Sequence, residues 1–157
     1  MSDTMTCDIL TETPEATQAV ARCLATAVRP GDLLALVGDL GAGKTCFVQG
    51  HAAGKGVAGR VASPTFILMR AHPGEVPLYH ADVYRVASGD ALLDIGLDDW
   101  LATGVVAVEW ADLAADALPD DYLLIRFVPE GDARLLTFTA QGPRGRALLE
   151  HLRACAC

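Results

Sequence analysis

One stretch, Gly38-Asp39-Leu40-Gly41-Ala42-Gly43-Lys44-Thr45, constrains this chain more than any other. It has the form G-x-x-x-x-G-K-[ST]. Its glycines let the backbone curl so that N–H groups converge on phosphate oxygens. In such a loop the lysine brings a point charge to the β- and γ-phosphates, and the following hydroxyl ligates Mg²⁺. The surroundings agree. Leu33-Leu34-Ala35-Leu36-Val37 is a continuous apolar run, as in a buried parallel strand. Beyond the loop, Phe47, Val48, His51 and Ala52 recur at helical spacing. Strand, loop and helix in that order aim a helix N-terminus at an anion, which a chance match in an Ala/Gly-rich chain would not do. Nucleotide binding with Mg²⁺ is therefore expected. Its contacts are Asp39, Leu40, Gly41, Ala42, Gly43, Lys44, Thr45 and the adjoining Cys46.

Composition narrows what the nucleotide serves. A length of 157 residues, 52% hydrophobic and 20% charged, predicts one globular domain over 1–157, with flexible ends at 1–6 and 154–157. No apolar run approaches the roughly 20 residues that span a bilayer, so no membrane role is expected. Met1 to Asp8 lacks the basic and apolar regions of a secretory signal, so the cytoplasm is the expected compartment. Twelve Lys/Arg against twenty Asp/Glu give a net charge of −8. Nucleic-acid binding rests on Lys/Arg clusters, and Arg144 and Arg146 stand almost alone. Any RNA in the biology is then held by a partner.

The five cysteines, Cys7, Cys23, Cys46, Cys155 and Cys157, are odd in number and scattered, which argues against a disulfide framework. Cys155-Ala156-Cys157 has soft ligands but no His/Cys pair at zinc spacing beside it, and reads as a frayed tail. Cys46 opens a helix. That position allows a lowered thiol pKa and sensitivity to oxidation, but a small helix filler is the favoured reading.

Along the chain, Thr13-Pro14-Glu15 starts a helix with a capping hydroxyl, a first-turn proline and an acid at the positive end of the dipole. Ala16, Ala19, Val20, Cys23, Leu24, Ala27 and Val28 form its apolar stripe, closed by Pro30-Gly31. A glycine-rich break covers 54–59. Strands are expected at 61–69 and 76–83, turning near Pro73-Gly74. A helix is expected at 91–101 and a buried strand at 105–108. A strand pair at 122–128 and 134–140 turns at Glu130-Gly131-Asp132, and a helix at 144–153 follows. This order describes an α/β sandwich with a mixed β-sheet flanked by helices.

A phosphate loop needs a second acid to hold Mg²⁺ or its water, usually at the end of a neighbouring apolar strand. Glu109 ends Val105-Val106-Ala107-Val108 and fits that need. Asp82 is a second candidate. His80, Asp82 and Tyr84 share one face if 80–85 is a strand. An imidazole, a carboxylate and a phenol are costly to bury together without a purpose. Asp82 would orient or deprotonate a water, with His80 in support. The same alternation also fits an exposed edge strand, and spacing alone does not choose. In Ser63-Pro64-Thr65-Phe66, Pro64 holds Ser63 extended, and Thr65 is placed to sense the γ-phosphate or its Mg²⁺. A plain turn is the other reading.

Taken together and in order, the phosphate loop, Ser63-Pro64-Thr65-Phe66, Pro77-Leu78-Tyr79-His80-Ala81-Asp82-Val83-Tyr84-Arg85 and Val108-Glu109-Trp110 resemble the bacterial TsaE (YjeE) family. Leu92-Leu93-Asp94-Ile95-Gly96-Leu97-Asp98-Asp99-Trp100-Leu101 resembles that family's connecting helix. The likeness is dense over 33–110 and fades past 120. It implies a P-loop NTPase-like domain and a small Mg²⁺-dependent ATPase in tRNA modification. It further implies work with the TsaB–TsaD pair, which transfers threonylcarbamoyl to the adenosine beside the anticodon, so that tRNA is met only through those partners. Carried over, Lys44 and Thr45 bind phosphate and Mg²⁺, and Glu109 is the Mg²⁺ acid. Thr65 and Asp82 fall at switch and catalytic positions, Trp110 lies beside the site, and Thr13 and Pro14 lie against the adenine. Three positions depart from the family pattern. Cys46 replaces a hydroxyl residue, Ala71-His72 an acid–aromatic pair, and Ala111 a proline. The second departure bears on the partner surface.

Two other activities share this loop. A small-molecule kinase needs an acceptor pocket and usually an arginine-rich lid, and neither an insert nor the arginines are present. A non-hydrolytic assembly factor would use ATP only to order a docking surface around 63–66. No arginine is placed as a finger, Arg85 being nearest in sequence, so slow turnover by the isolated chain is expected.

Overall fold

The computed structural model describes residues 5–39, 43–54, 69–83 and 96–156. Thr65, Leu40, Gly41, Ala42, Tyr84 and Arg85 fall outside these, as do the glycine-rich break at 55–59 and the expected strand at 61–68. The described strands are β1 (Thr6–Thr11), β2 (Leu33–Gly38), β3 (Met69–His72), β4 (Leu78–Asp82), β5 (Val105–Glu109), β6 (Tyr122–Glu130) and β7 (Ala133–Gln141). They form one sheet in the order β1-β7-β6-β2-β5-β4-β3. Its centre, β6-β2-β5-β4, is parallel, while β1-β7-β6 and β4-β3 pair antiparallel at the two ends. The α/β reading with a mixed sheet therefore holds. β2 is apolar throughout and β5 is apolar up to Glu109, because parallel strands with helices on both faces meet almost no water.

Alternate residues of each strand feed two cores. On one face Leu34 and Leu36 of β2, Val105 and Ala107 of β5 and Leu78 of β4 pack with three helices. These are α1 (Pro14–Ala25), α2 (Lys44–Gly54) and α4 (Gly142–Cys155). On the other face Leu33, Ala35, Val37, Val106, Val108 and Ala81 meet α3 (Leu97–Thr103) and a 3₁₀ helix at Ala111–Ala117. Phe47 is anchored edge-on to Phe127 at a centroid separation of 5.7 Å, which fixes the base of the phosphate-loop helix. α1 lies so close on α2 that a Cβ at Gly50 would stand 2.6 Å from the Gln18 backbone. No helix among the described residues is long and apolar enough to cross a membrane.

Several elements differ from expectation. β1 was not foreseen: its alternation of exposed Thr6, Asp8 and Leu10 with half-buried Cys7 and Ile9 becomes a strand only through β7. The Ala-rich 3₁₀ segment was not foreseen either, since it lacks amphipathic spacing. The helix expected at 91–101 runs over Leu97–Thr103 in its described part. The ends expected to be loose are partly held: Thr6 is in β1, and α4 runs through Cys155. Against the expectation of no disulfides, Cys23 of α1 is disulfide-bonded to Cys155 of α4, and Cys7 is also in a disulfide. Proximity of residues 132 apart in sequence is a property of packing, which a count of cysteines does not carry.

Candidate functional site

The site forms where the carboxyl ends of the parallel strands meet the start of α2. β2 ends at Gly38, the chain turns through Gly43 at φ +106°, and α2 begins at Lys44. That backbone angle suits glycine and strains other residues. Lys44 is only 4% exposed. Its ammonium donates to the Gly38 carbonyl and lies 3.6 Å from the centroid of the Trp110 ring, a cation–π contact. Burial lowers the Lys44 pKa, while the fields of Glu109, Asp82, Asp112 and Asp39 raise it. The lysine charge thus sits in a ring of acids.

Glu109 ends β5 and is 3% exposed. Parallel pairing puts Asp82 of β4 directly opposite it and His80 opposite Ala107. All three acid and imidazole side chains leave the sheet on the face that carries α2, by the two-residue period of the strands. His80 is fully buried, and its Nε2–H donates to Glu109 Oε2 at 2.5 Å. The edge-strand reading of this segment is excluded, because β4 lies between β5 and β3. His80 had been expected to support Asp82. The bond it makes holds Glu109, with His72 behind it at a ring separation of 6.4 Å. Burial, then His80 and Arg70, lowers the His72 pKa.

Thr45 Oγ1 donates to the same Glu109 Oε2 at 3.4 Å. A hydroxyl and a carboxylate side by side are hard oxygen donors of the kind Mg²⁺ takes together with phosphate oxygens and waters. The residues present therefore fit a Mg²⁺ ion, which Thr45 and Glu109 could hold. Trp110 follows with φ +61°, an uncommon left-handed conformation for a bulky residue, and this turns the ring toward Lys44. Asp112, in the 3₁₀ segment, adds to the field on Lys44 and was not a sequence candidate. Nothing in its local pattern marks it.

Other candidates occupy the periphery. The Thr13 hydroxyl accepts from Ala16 N at 3.0 Å, so it caps α1. Cys46 Sγ donates to the Pro14 carbonyl at 3.4 Å, which places the starts of α1 and α2 side by side. Burial pushes the Cys46 thiol up, the bond with Gln18 lowers it and Glu15 raises it. The lowered pKa that a helix start could give is not found, since burial, the largest cause, acts upward, and the small-helix-filler reading stands. Asp39 is exposed at the loop's entry. Of Ala71 and His72, only Ala71 is on the surface. Arg144 is far from the loop and serves a bridge to Asp32.

A strand–loop–helix on a parallel sheet, with lysine, hydroxyl and acid converging at the strand ends, defines the class as a P-loop NTPase-like α/β fold. Within that class, the family described as "Threonylcarbamoyl adenosine biosynthesis protein TsaE" matches residues 11–136. The tRNA threonylcarbamoyladenosine biosynthesis protein TsaE of Bacillus subtilis (strain 168) is 46% identical over 145 residues, covering 90% of each chain. The protein of the same name from Streptomyces coelicolor is 43% identical over 111 residues, covering 68% of this chain and 75% of its own. The crystal structure of Bacillus subtilis YdiB superposes with a TM-score of 0.85 at 39% identity, covering 98% of each chain. The chain belongs to the TsaE family.

Proposed function

We propose that this chain binds ATP with Mg²⁺ and hydrolyses it slowly, in the cytoplasm, in support of tRNA threonylcarbamoyladenosine biosynthesis. The family supports the pathway. The observation that carries the chemistry is the meeting of Thr45 and Glu109 at 3.4 Å beside buried Lys44. In this reading Lys44 and the loop amides bind the β- and γ-phosphates and stabilise the charge that develops on them. Thr45 and Glu109 would hold Mg²⁺, which would supply charge neutralisation to the phosphates. His80 fixes the Glu109 carboxylate through its hydrogen bond. Asp82, opposite Glu109, orients the attacking water and accepts its proton. Thr65 serves as the switch hydroxyl, and Thr13 with Cys46 flanks the base.

The TsaB–TsaD pair is the proposed partner, and tRNA is reached through it, in keeping with a net charge of −8. The test is ATP hydrolysis by the chain alone and with TsaB–TsaD from the same source. Slow turnover alone, strong stimulation by the pair and loss of both in Lys44→Ala are expected. ATP binding with no turnover even with the pair would overturn hydrolysis in favour of an ATP-dependent assembly factor. A phosphorylated small-molecule product would replace it with a kinase.

A further inference from the structure

Away from the phosphate loop, the C-terminal helix meets α1 through a second group of chemically active side chains. Against the expectation that no His/Cys pair accompanies the C-terminal cysteines, His151 and Cys155 stand four residues apart on α4 and share one face of the helix. Cys23 comes from α1. One ligand atom from each of these three lies within 4.8 Å of the other two. The cysteine Cα atoms are 6.2 Å apart. Two sulfurs around a tetrahedral zinc ion are about 3.8 Å apart at ordinary Zn–S lengths, a separation that side chains on this spacing reach by rotation.

The imidazole is already fixed at one nitrogen, which leaves the other for a metal. Thr26 Oγ1 gives its proton to the Cys23 carbonyl at 2.7 Å. It is therefore an acceptor toward His151 Nε2, 2.8 Å away, and the same Nε2 lies 3.0 Å from the Cys23 carbonyl. Nε2 then carries the proton, and the ring's lone pair is on Nδ1. An outer hydrogen bond to a backbone carbonyl that fixes the tautomer is the usual support of a ligating histidine.

We propose that Cys23, His151 and Cys155 form a binding site for zinc or a similar borderline-soft divalent cation when the Cys23–Cys155 disulfide is reduced. Two thiolates and one imidazole are the donors zinc prefers, and exposed Cys155 leaves the fourth position to water. Disulfide and metal are alternative states of one site. A dithiol reductant gives two electrons and two protons to the disulfide, leaving two thiols and its own disulfide. Zinc then displaces both thiol protons and forms two Zn–S bonds. Either state ties α1, which packs on the phosphate-loop helix, to the end of the chain.

The experiment uses the full chain, reduced and freed of reductant, with Co²⁺ as the probe and Zn²⁺ as its competitor. One cobalt per chain with thiolate-to-metal absorption, displaced by zinc with release of two protons, is expected. Disulfide-oxidised protein should give no such absorption. His151→Ala, which keeps both thiols, should weaken binding at least about a hundredfold, and Thr26→Ala about tenfold. Cys46→Ser should bind as the parent does. Circular dichroism confirms that each variant is folded. No thiolate–cobalt absorption in the reduced parent, or absorption that survives in folded Cys23→Ser and Cys155→Ser, would overturn the site.

Discussion

Two carboxylates, Asp32 and Glu109, are each 3% exposed, yet their surroundings differ. Asp32 lies just before β2, at the amino end of the parallel strands. Its two oxygens accept from Arg144 Nε at 2.9 Å and Nη2 at 2.7 Å, and Oδ2 also accepts from Arg29 N. The Asp32 hydrogen bond, ahead of desolvation, holds the Arg144 pKa above its ordinary value. Glu109 lies at the carboxyl end of β5, where the described contacts of its carboxylate are an imidazole and a hydroxyl, with the lysine charge nearby. A buried charge matched by a fixed guanidinium within the chain is architecture. A buried carboxylate among an imidazole, a hydroxyl and a nearby lysine, with no guanidinium of its own, suits a bound cation. The carboxyl ends of the strands are also where open α/β sheets bind ligands.

The largest effect should come from Glu109→Ala, which is expected to lower ATP turnover at least about a hundredfold and to flatten its Mg²⁺ dependence. Its melting temperature should fall modestly, because fully buried His80 loses the acceptor of its Nε2–H. A strong loss of stability with Mg²⁺ dependence intact would make Glu109 a second Asp32. The opposite pattern is expected of Arg144→Ala. It leaves Asp32 buried without its partner at a cost of about 2 kcal/mol, the buried-pair figure being discounted because the Arg144 side chain is 26% exposed. Denaturant melts would read that loss, and ATP affinity of the folded fraction should be unchanged. Asp82→Asn should sharpen the contrast further, with turnover down about a hundredfold and ATP affinity little changed from the parent. Parent-like turnover removes Asp82 from the chemistry.

The smallest effect concerns Cys46. Because burial raises its thiol pKa, less thiolate is present at pH 7–8 than on an ordinary cysteine. Alkylation by a neutral reagent should be slow there and should rise through a midpoint above the ordinary thiol value of 9.0. A midpoint below it would show that the helix N-terminus outweighs desolvation.

The phosphate loop, β2, α1 with its Thr13 cap, the β6–β7 hairpin and the apolar strand ending in Glu109 were legible in the chain. Each rests on local chemistry: loop glycines, a capping hydroxyl, apolar runs and a turn. The pairing of Asp82 with Glu109 was visible only as two candidates, because register between β4 and β5 joins segments 27 residues apart. The recipient of the His80 bond was misjudged for the same reason. α/β architecture and the strand–loop–helix frame of the site follow from short-range pattern, since period and turn chemistry are properties of neighbouring residues. The strand order, the disulfide between α1 and α4, the upward shift of the Cys46 thiol and the guanidinium matched to Asp32 were decided by tertiary packing alone. Desolvation and charge pairing depend on which distant segments exclude water from a group, and no local spacing encodes that.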